Sequence, residues 1–200
     1  MQSQSRRSQG DLRLARGLCD VLGGSHRSLC RIRIRQGVRQ MSTSLESTYE
    51  MVIERHLALT PEECFAFWTD PTTMTEWWGP KDDAGEPFHS DVESWTAVQG
   101  QNWSIRMTAP DGTVHVQGGE MLEVDPPNVL RFSFHWLENG ERGPTTEVSV
   151  RFDARGGGTM LTFTQRGFSE AEVRDSHEQG WKECLDRLED AVSRGLDPAA

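Results

Sequence analysis

Residues 169–195, SEAEVRDSHEQGWKECLDRLEDAVSRG, decide the fold of this 200-residue chain. Apolar side chains recur here at spacings of three and four, which is typical of a helix with one apolar face. The stripe consists of Val173, His177, Trp181, Cys184, Leu185, Leu188 and Val192. Ser169 and Glu172 have the spacing of a capping box, and Gly195 is a stop signal. At 1.5 Å per residue this helix is roughly 35 Å long, enough to lie across a whole sheet.

The segment before this helix predicts a sheet. Between about residues 87 and 166, apolar and polar residues alternate in runs that glycine- and proline-rich turns separate. Residues 129–136, VLRFSFHW, place every second side chain on one apolar face. We therefore predict about six antiparallel strands with a single apolar face.

The first part of the folded region predicts one more strand and two short helices. Residues 50–59, EMVIERHLAL, resemble a strand, and Thr60 to Glu63 have the residues of a capped helix start. A second helix restarts at Asp70-Pro71 and must end at the WWGP sequence of residues 77–80. The predicted fold class is α+β: a curved antiparallel sheet of about seven strands around a long C-terminal helix.

Charge divides the chain into two parts. Residues 1–40 hold nine arginines and two acids, a net charge of +7, so residues 41–200 carry −17 of the total of −10. Such an acidic body disfavours a nucleic-acid partner, because binding to phosphates depends on Lys and Arg. No apolar run approaches the ~20 residues of a membrane span.

The basic segment, residues 1–40, is predicted to be a disordered arm preceding a domain at residues 41–200. The arm fits a nucleic-acid-binding tail, an organellar transit peptide or a segment with no role, and translation starting at Met41 is a further alternative. Four scattered cysteines indicate reduced thiols of a cytoplasmic protein, or an organellar one if the arm is a transit peptide.

Several short segments resemble a known family. They are FAFWTDP at 65–71, WWGP at 77–80, APDGT at 109–113, MLEVDPP at 121–127, LRF at 130–132 and Gly180-Trp181. In this order they resemble the AHSA1-like branch of the START/Bet v 1-like (SRPBCC) superfamily over about residues 48 to 193. The resemblance implies a helix-grip fold with a hydrophobic cavity between sheet and helix. It implies no single function, because the superfamily includes carriers, cyclases and chaperone activators.

Seven tryptophans against one tyrosine point to a ligand cavity. Indoles on facing surfaces of sheet and helix can hold the two apart, although they can equally fill a tight core. Trp77 and Trp78 are placed to form a rim. The predicted cavity residues are Trp68, Trp77, Trp78, Trp103, Ile105, Met107, Phe132, Phe134, Trp136, Phe163, His177, Trp181 and Leu185.

The sequence offers little for catalysis. It has no nucleophile elbow, phosphate loop or metal-ligand spacing, so we assign no catalytic residue, metal or cofactor. By strand parity, His115 and His135 are predicted to face outward. His177 shares the apolar helix stripe, where it can act as an acid or base or can be a hydrogen-bonded core residue.

Three functions remain open. The one we favour is a non-enzymatic module, monomeric or homodimeric, that binds a small apolar molecule. The alternatives are an activator of an Hsp90-type chaperone ATPase and a polyketide cyclase-like enzyme. Polar side chains converging on the cavity would favour chemistry, whereas an apolar lining favours carriage.

Overall fold

A computed structural model describes residues 48–196 and residue 198, so the predicted basic arm lies outside the described residues. In chain order the elements are β1 (Tyr49–Leu57), α1 (Pro61–Thr69), α2 (Pro71–Trp77), β2 (His89–Ser94), β3 (Asn102–Thr108), β4 (Val114–Asp125), β5 (Val129–Glu138), β6 (Glu141–Arg142), β7 (Thr146–Arg155), β8 (Gly158–Phe168) and α3 (Ala171–Ser193). None of these helices combines the length and the apolar character that crossing a bilayer requires.

The strands form one antiparallel sheet in the order β1-β8-β7-β5-β4-β3-β2, and the short β6 pairs with β5. Every second side chain of the central strands points toward α3, so the core lies between the sheet and this helix. The predicted α+β helix-grip architecture is confirmed, including the two short helices after the first strand.

Capping residues define where the two short helices begin. Thr60 and Glu63 form the predicted reciprocal capping box at the start of α1. The Asp70 carboxylate accepts hydrogen bonds from the backbone N–H groups of Thr72 and Thr73 and so caps α2. Gly79, with a φ of +113°, then turns the chain out of the helix.

The start of α3 differs from the prediction. The capping box proposed for Ser169 and Glu172 is wrong, because Glu170 occupies the N-cap position and makes no side-chain cap bond. The helix is therefore held by its apolar face. Its buried residues are His177, Trp181, Cys184, Leu185, Leu188 and Ala191.

Gly119 lets two strands and an indole approach closely. It pairs with Trp103 across the β3–β4 ladder, and the Trp103 indole donates to the carbonyl oxygen of Ser133 on β5 at 3.1 Å. A Cβ on Gly119 would lie 1.8 Å from that oxygen and 2.6 Å from the Trp103 indole nitrogen. Only glycine permits this indole to reach the next strand.

The seven tryptophans form one tryptophan cluster, in which Trp136 is partly exposed and the other six are buried: Trp68, Trp77, Trp78, Trp95, Trp103, Trp136 and Trp181. Trp78 is its centre, with ring centroids 5.0–6.1 Å from those of five other tryptophans. Trp136 joins through Phe134, which lies between it and Trp181. Offset and edge-to-face contacts of this kind stabilise aromatic cores beyond their area burial.

Arg187 of α3 ties this cluster to the helix. Its guanidinium donates to the carbonyl oxygens of Gly79 at 2.7 Å, Glu76 at 3.0 Å and Phe88 at 3.2 Å, and lies 3.4 Å from that of Trp78. These carbonyls belong to the end of α2 and the chain that follows it, where Glu76 is exposed but Trp78 and Gly79 are buried and an unpaired acceptor is costly. A cation also suits the negative end of a helix.

Gly119→Ala is expected to lower the free energy of unfolding by about 3 kcal/mol or more, because backbone atoms block the new methyl group. Gly112→Ala is the control: its φ is +87° and its space is open, so strain alone should cost about 1–2 kcal/mol. Urea denaturation measures both, and equal losses contradict the role assigned to Gly119.

Arg187→Met is expected to cost about 3 kcal/mol, since it removes the shared donor of the half-buried Gly79 and Phe88 carbonyl groups. Arg194→Met removes the same charge from an exposed position at the end of α3 and should stay within about 0.5 kcal/mol of the parent. Chemical denaturation of the two variants at one pH makes the comparison. A stability loss for Arg187→Met as small as that for Arg194→Met contradicts the role assigned to Arg187.

Candidate functional site

A pocket opens between α3 and strands β3, β4 and β5, and we call it the helix–sheet pocket. Its volume is about 50 Å³. The lining residues are Trp78, Pro80, Met107, His115, Gln117, Phe134, Trp136, Ser176, His177, Gly180, Trp181 and Cys184. The set contains no Lys, Arg, Asp or Glu, so the walls are apolar with a few neutral polar groups.

Exposure shows where the pocket opens. Four of its lining residues are partly exposed: His115 and Trp136 on the strands, and Ser176 and Gly180 on α3. The other lining residues are buried. The mouth therefore lies between the ends of β4 and β5 and the first half of α3.

The predicted cavity residues divide into two groups. Six line the pocket: Trp78, Met107, Phe134, Trp136, His177 and Trp181. Seven pack within the buried core instead: Trp68, Trp77, Trp103, Ile105, Phe132, Phe163 and Leu185. Three of the six predicted indoles, Trp68, Trp77 and Trp103, thus fill space that the sequence assigned to a cavity. The predicted rim is wrong as well, because Trp77 and Trp78 are both fully buried.

Two pocket residues were missed because the strand parity was misread. His115 and Gln117 line the pocket, whereas the apolar Val114 on the same strand is exposed. The predicted outward orientation of His115 is therefore wrong. Residues opposite each other in a ladder share a face, and His115 pairs with the buried Met107. Aligning the residues on the two sides of the turn at residues 109–112 predicts this pairing of β3 with β4.

His135 is also buried, at 4% exposure, although it lies on the sheet face opposite Phe134. The prediction of an outward, solvent-facing side chain is thus only half right: the parity holds and the exposure does not. Burial lowers the pKa of the His135 imidazole, and the nearby Arg142 adds to this.

A buried hydrogen-bond network closes one side of the pocket. The Trp136 indole donates to His177 Nε2 at 3.2 Å, and His177 Nδ1 lies 3.3 Å from Gln165 Oε1. The Trp181 indole donates to the same oxygen at 2.8 Å, and Gln165 Nε2 donates to the Thr146 hydroxyl at 2.7 Å. Because Nε2 of His177 accepts, its proton is on Nδ1 and the ring is neutral.

Burial lowers the pKa of His177 to about 4. Both ring nitrogens are engaged within the protein, so His177 is a hydrogen-bonded core histidine that holds two indoles and a glutamine in place. Its imidazole has no free lone pair facing the pocket for general-base chemistry.

The two described cysteines are buried thiols. Burial raises the pKa of Cys184 to about 12, despite a hydrogen bond to its sulfur from the Gly79 N–H. Burial likewise raises the pKa of Cys64 to about 11. Neither forms a thiolate at neutral pH, so neither is suited to nucleophilic attack.

Comparisons with known proteins agree with this architecture. The family described as Activator of Hsp90 ATPase homolog 1-like protein (AHSA1) matches residues 58–193. No curated protein sequence matched. Similar solved structures include an AHSA1 protein from Silicibacter pomeroyi, with a TM-score of 0.66 at 24% identity over 74% of this chain and 100% of that chain.

Two further structures show the same fold. A protein from Chromobacterium violaceum gives a TM-score of 0.64 at 23% identity over 72% of this chain and 96% of that chain. A protein from Arthrobacter aurescens gives 0.64 at 20% identity, over 74% of this chain and 88% of that chain.

The free energy of unfolding is expected to fall by roughly 3 kcal/mol as the pH is lowered from 6.5 to 4, because His177 must stay neutral when folded. The folded pKa lies below the unfolded one, so this contribution is complete above pH 6.5 and is lost toward pH 4. His177→Gln should flatten the profile in urea titrations across this range.

The exposed His89→Gln, which also removes one imidazole, is the control and should keep the parent's pH profile. Half-buried His115 and buried His135, whose pKa values are also lowered by burial, leave a residual slope in the His177 variant. A His177→Gln profile as steep as the parent's contradicts the assignment.

Proposed function

The chain belongs to the AHSA1 family, and on this premise we propose that it is a binding protein for a small, largely apolar molecule held in the helix–sheet pocket. The supporting observation is the lining of that pocket. Indole and phenyl rings of Trp78, Phe134, Trp136 and Trp181 bound it together with Met107, and the mouth reaches the surface. Apolar walls with a few placed polar groups are typical of small-molecule sites.

The pocket size limits the ligand. A volume of about 50 Å³ holds only a few water-sized spheres, since one water needs roughly 10–15 Å³ by the same measure. The tryptophan cluster occupies the rest of the space between sheet and helix. Because a dry cavity that binds benzene measures about 150 Å³, this volume admits only part of one ring, inserted through the mouth between Trp136 and Gly180, and it excludes a long-chain lipid or a fused polyketide.

The chemistry of the lining supports binding over catalysis. Both ring nitrogens of His177 are hydrogen-bonded, one to Trp136 and the other to Gln165. Cys184 remains a thiol at neutral pH. No carboxylate lines the pocket to act as a base. These features favour a carrier or sensor over the cyclase alternative.

Gly180→Leu is expected to weaken binding of phenol or toluene, used as one-ring probes, by tenfold or more, because a side chain at the mouth narrows the entrance. Gln179→Leu adds the same residue at the neighbouring exposed position of α3 and should bind like the parent. Titrations followed by ¹H–¹⁵N NMR of the tryptophan indole groups give both affinities.

Native mass spectrometry of the purified full chain tests the same proposal without a chosen probe. A co-purifying small molecule that is absent from Gly180→Leu supports it. Neither a co-purifying molecule nor saturable binding of any probe overturns it. Stimulation of an Hsp90-type ATPase by the parent and by Gly180→Leu alike would instead assign the chain the activity that its family description names.

A further inference from the structure

Two buried glutamines of this protein differ in one respect. Gln165 and Gln117 are 0% and 2% exposed. Gln165 accepts from Trp181, contacts His177 and donates to Thr146, so both its oxygen and its NH₂ group are hydrogen-bonded. The Gln117 side chain has no hydrogen-bond partner among the described residues, and it lines the helix–sheet pocket.

The pocket takes the Gln117 side chain out of bulk water, and no protein group replaces the hydrogen bonds that its amide loses. Neither amide atom is completely enclosed, so each keeps accessible surface in the pocket that Gln117 lines. Packing does not require a glutamine at this position. Its ladder neighbours are Ile105 and Trp136, and an apolar residue would match that setting. A buried polar group that lowers the folding stability in this way indicates a position that serves function and not core packing.

His115 adds a second unpaired group on the same strand and the same wall. Its Nε2 is buried without a hydrogen-bond partner. The ring is fixed between Phe88, at a centroid distance of 6.0 Å, and Trp136, at 6.3 Å. Residues two apart on a strand point to one face, so His115 lies at the mouth and Gln117 behind it.

The lining lacks charge as well. None of its residues is Lys, Arg, Asp or Glu, so an ionised ligand group would lose its hydration without gaining a counter-ion. Burial lowers the pKa of His115, which keeps the imidazole neutral at neutral pH. Apart from Ser176, which has an interaction of its own, the polar groups of the lining without a partner are the Gln117 carboxamide, which both donates and accepts, and the His115 Nε2.

We propose that Gln117 and His115 are the polar recognition pair of the helix–sheet pocket. The ligand is a small neutral molecule, about one ring in size, whose hydroxyl or carboxamide group donates and accepts hydrogen bonds. This rests on the proposed function and adds to it a ligand class and the residues that select it. The aromatic walls pack against the ring, and Gln117 and His115 on β4 form hydrogen bonds with its polar group.

The matched glutamines provide the first test. Gln117→Leu is expected to raise the melting temperature of the ligand-free full chain, because it removes a buried amide that has no partner. Gln165→Leu should lower it, since it breaks three contacts. A lower melting temperature for Gln117→Leu means that the amide is structural, and it overturns the recognition role.

The second test compares probes of equal size. Phenol and toluene have the same number of non-hydrogen atoms, as do benzamide and benzoate. The parent is expected to bind phenol about tenfold more tightly than toluene, and benzamide more tightly than benzoate. Gln117→Leu should lose the preference for phenol and keep or improve its affinity for toluene. His115→Phe should reduce the preference in part.

NMR titration reports the two proposals separately. The Gln117 side-chain NH₂ resonances, identified by their absence in Gln117→Leu, should shift with phenol and benzamide. Equal affinity for phenol and toluene, with both blocked by Gly180→Leu, overturns the recognition pair and leaves the binding function standing. Failure of every probe to bind, with no co-purifying molecule, overturns both.

Discussion

Burying the turn after α2 is the constraint on which the rest of the molecule depends. Trp78 lies there among five other indoles, and its burial takes the neighbouring backbone carbonyls out of water. Arg187 supplies donors to those carbonyls from α3, and Cys184 accepts from the Gly79 N–H one turn earlier. Because a buried carbonyl needs a donor, satisfying this turn also fixes where the long helix sits on the sheet.

The helix–sheet pocket is a consequence of that placement. With α3 anchored near Arg187, the packed tryptophans fill the gap around Trp68 and Trp103. Toward the start of the helix the small residue Gly180 faces Trp136 and His115 across the remaining space. The pocket is therefore the part of the interlayer that the indoles leave open. Its own walls are held by the His177 and Gln165 network.

Short sequence patterns predicted the helices and strands. They missed details that depend on contacts with residues distant in the sequence. The capping box at Thr60 is present because its two members need only each other. The similar pattern at Ser169 is absent, because the helix begins one residue later than the pattern predicts, with Glu170 at the N-cap position. His115 was assigned to the wrong face because apolar neighbours suggested a parity that the β3–β4 register reverses.

The sequence by itself determined the order of strands and helices, the apolar face of α3 and membership of the family, because periods of two and of 3.6 residues and short motifs are local properties. Only the tertiary structure decided which predicted cavity residues line open space and which fill it. The volume left beside a cluster of indoles depends on how all of them pack together. Likewise Gln117 and Gln165 are the same residue in the sequence, and their different surroundings come from contacts that the chain makes across several strands.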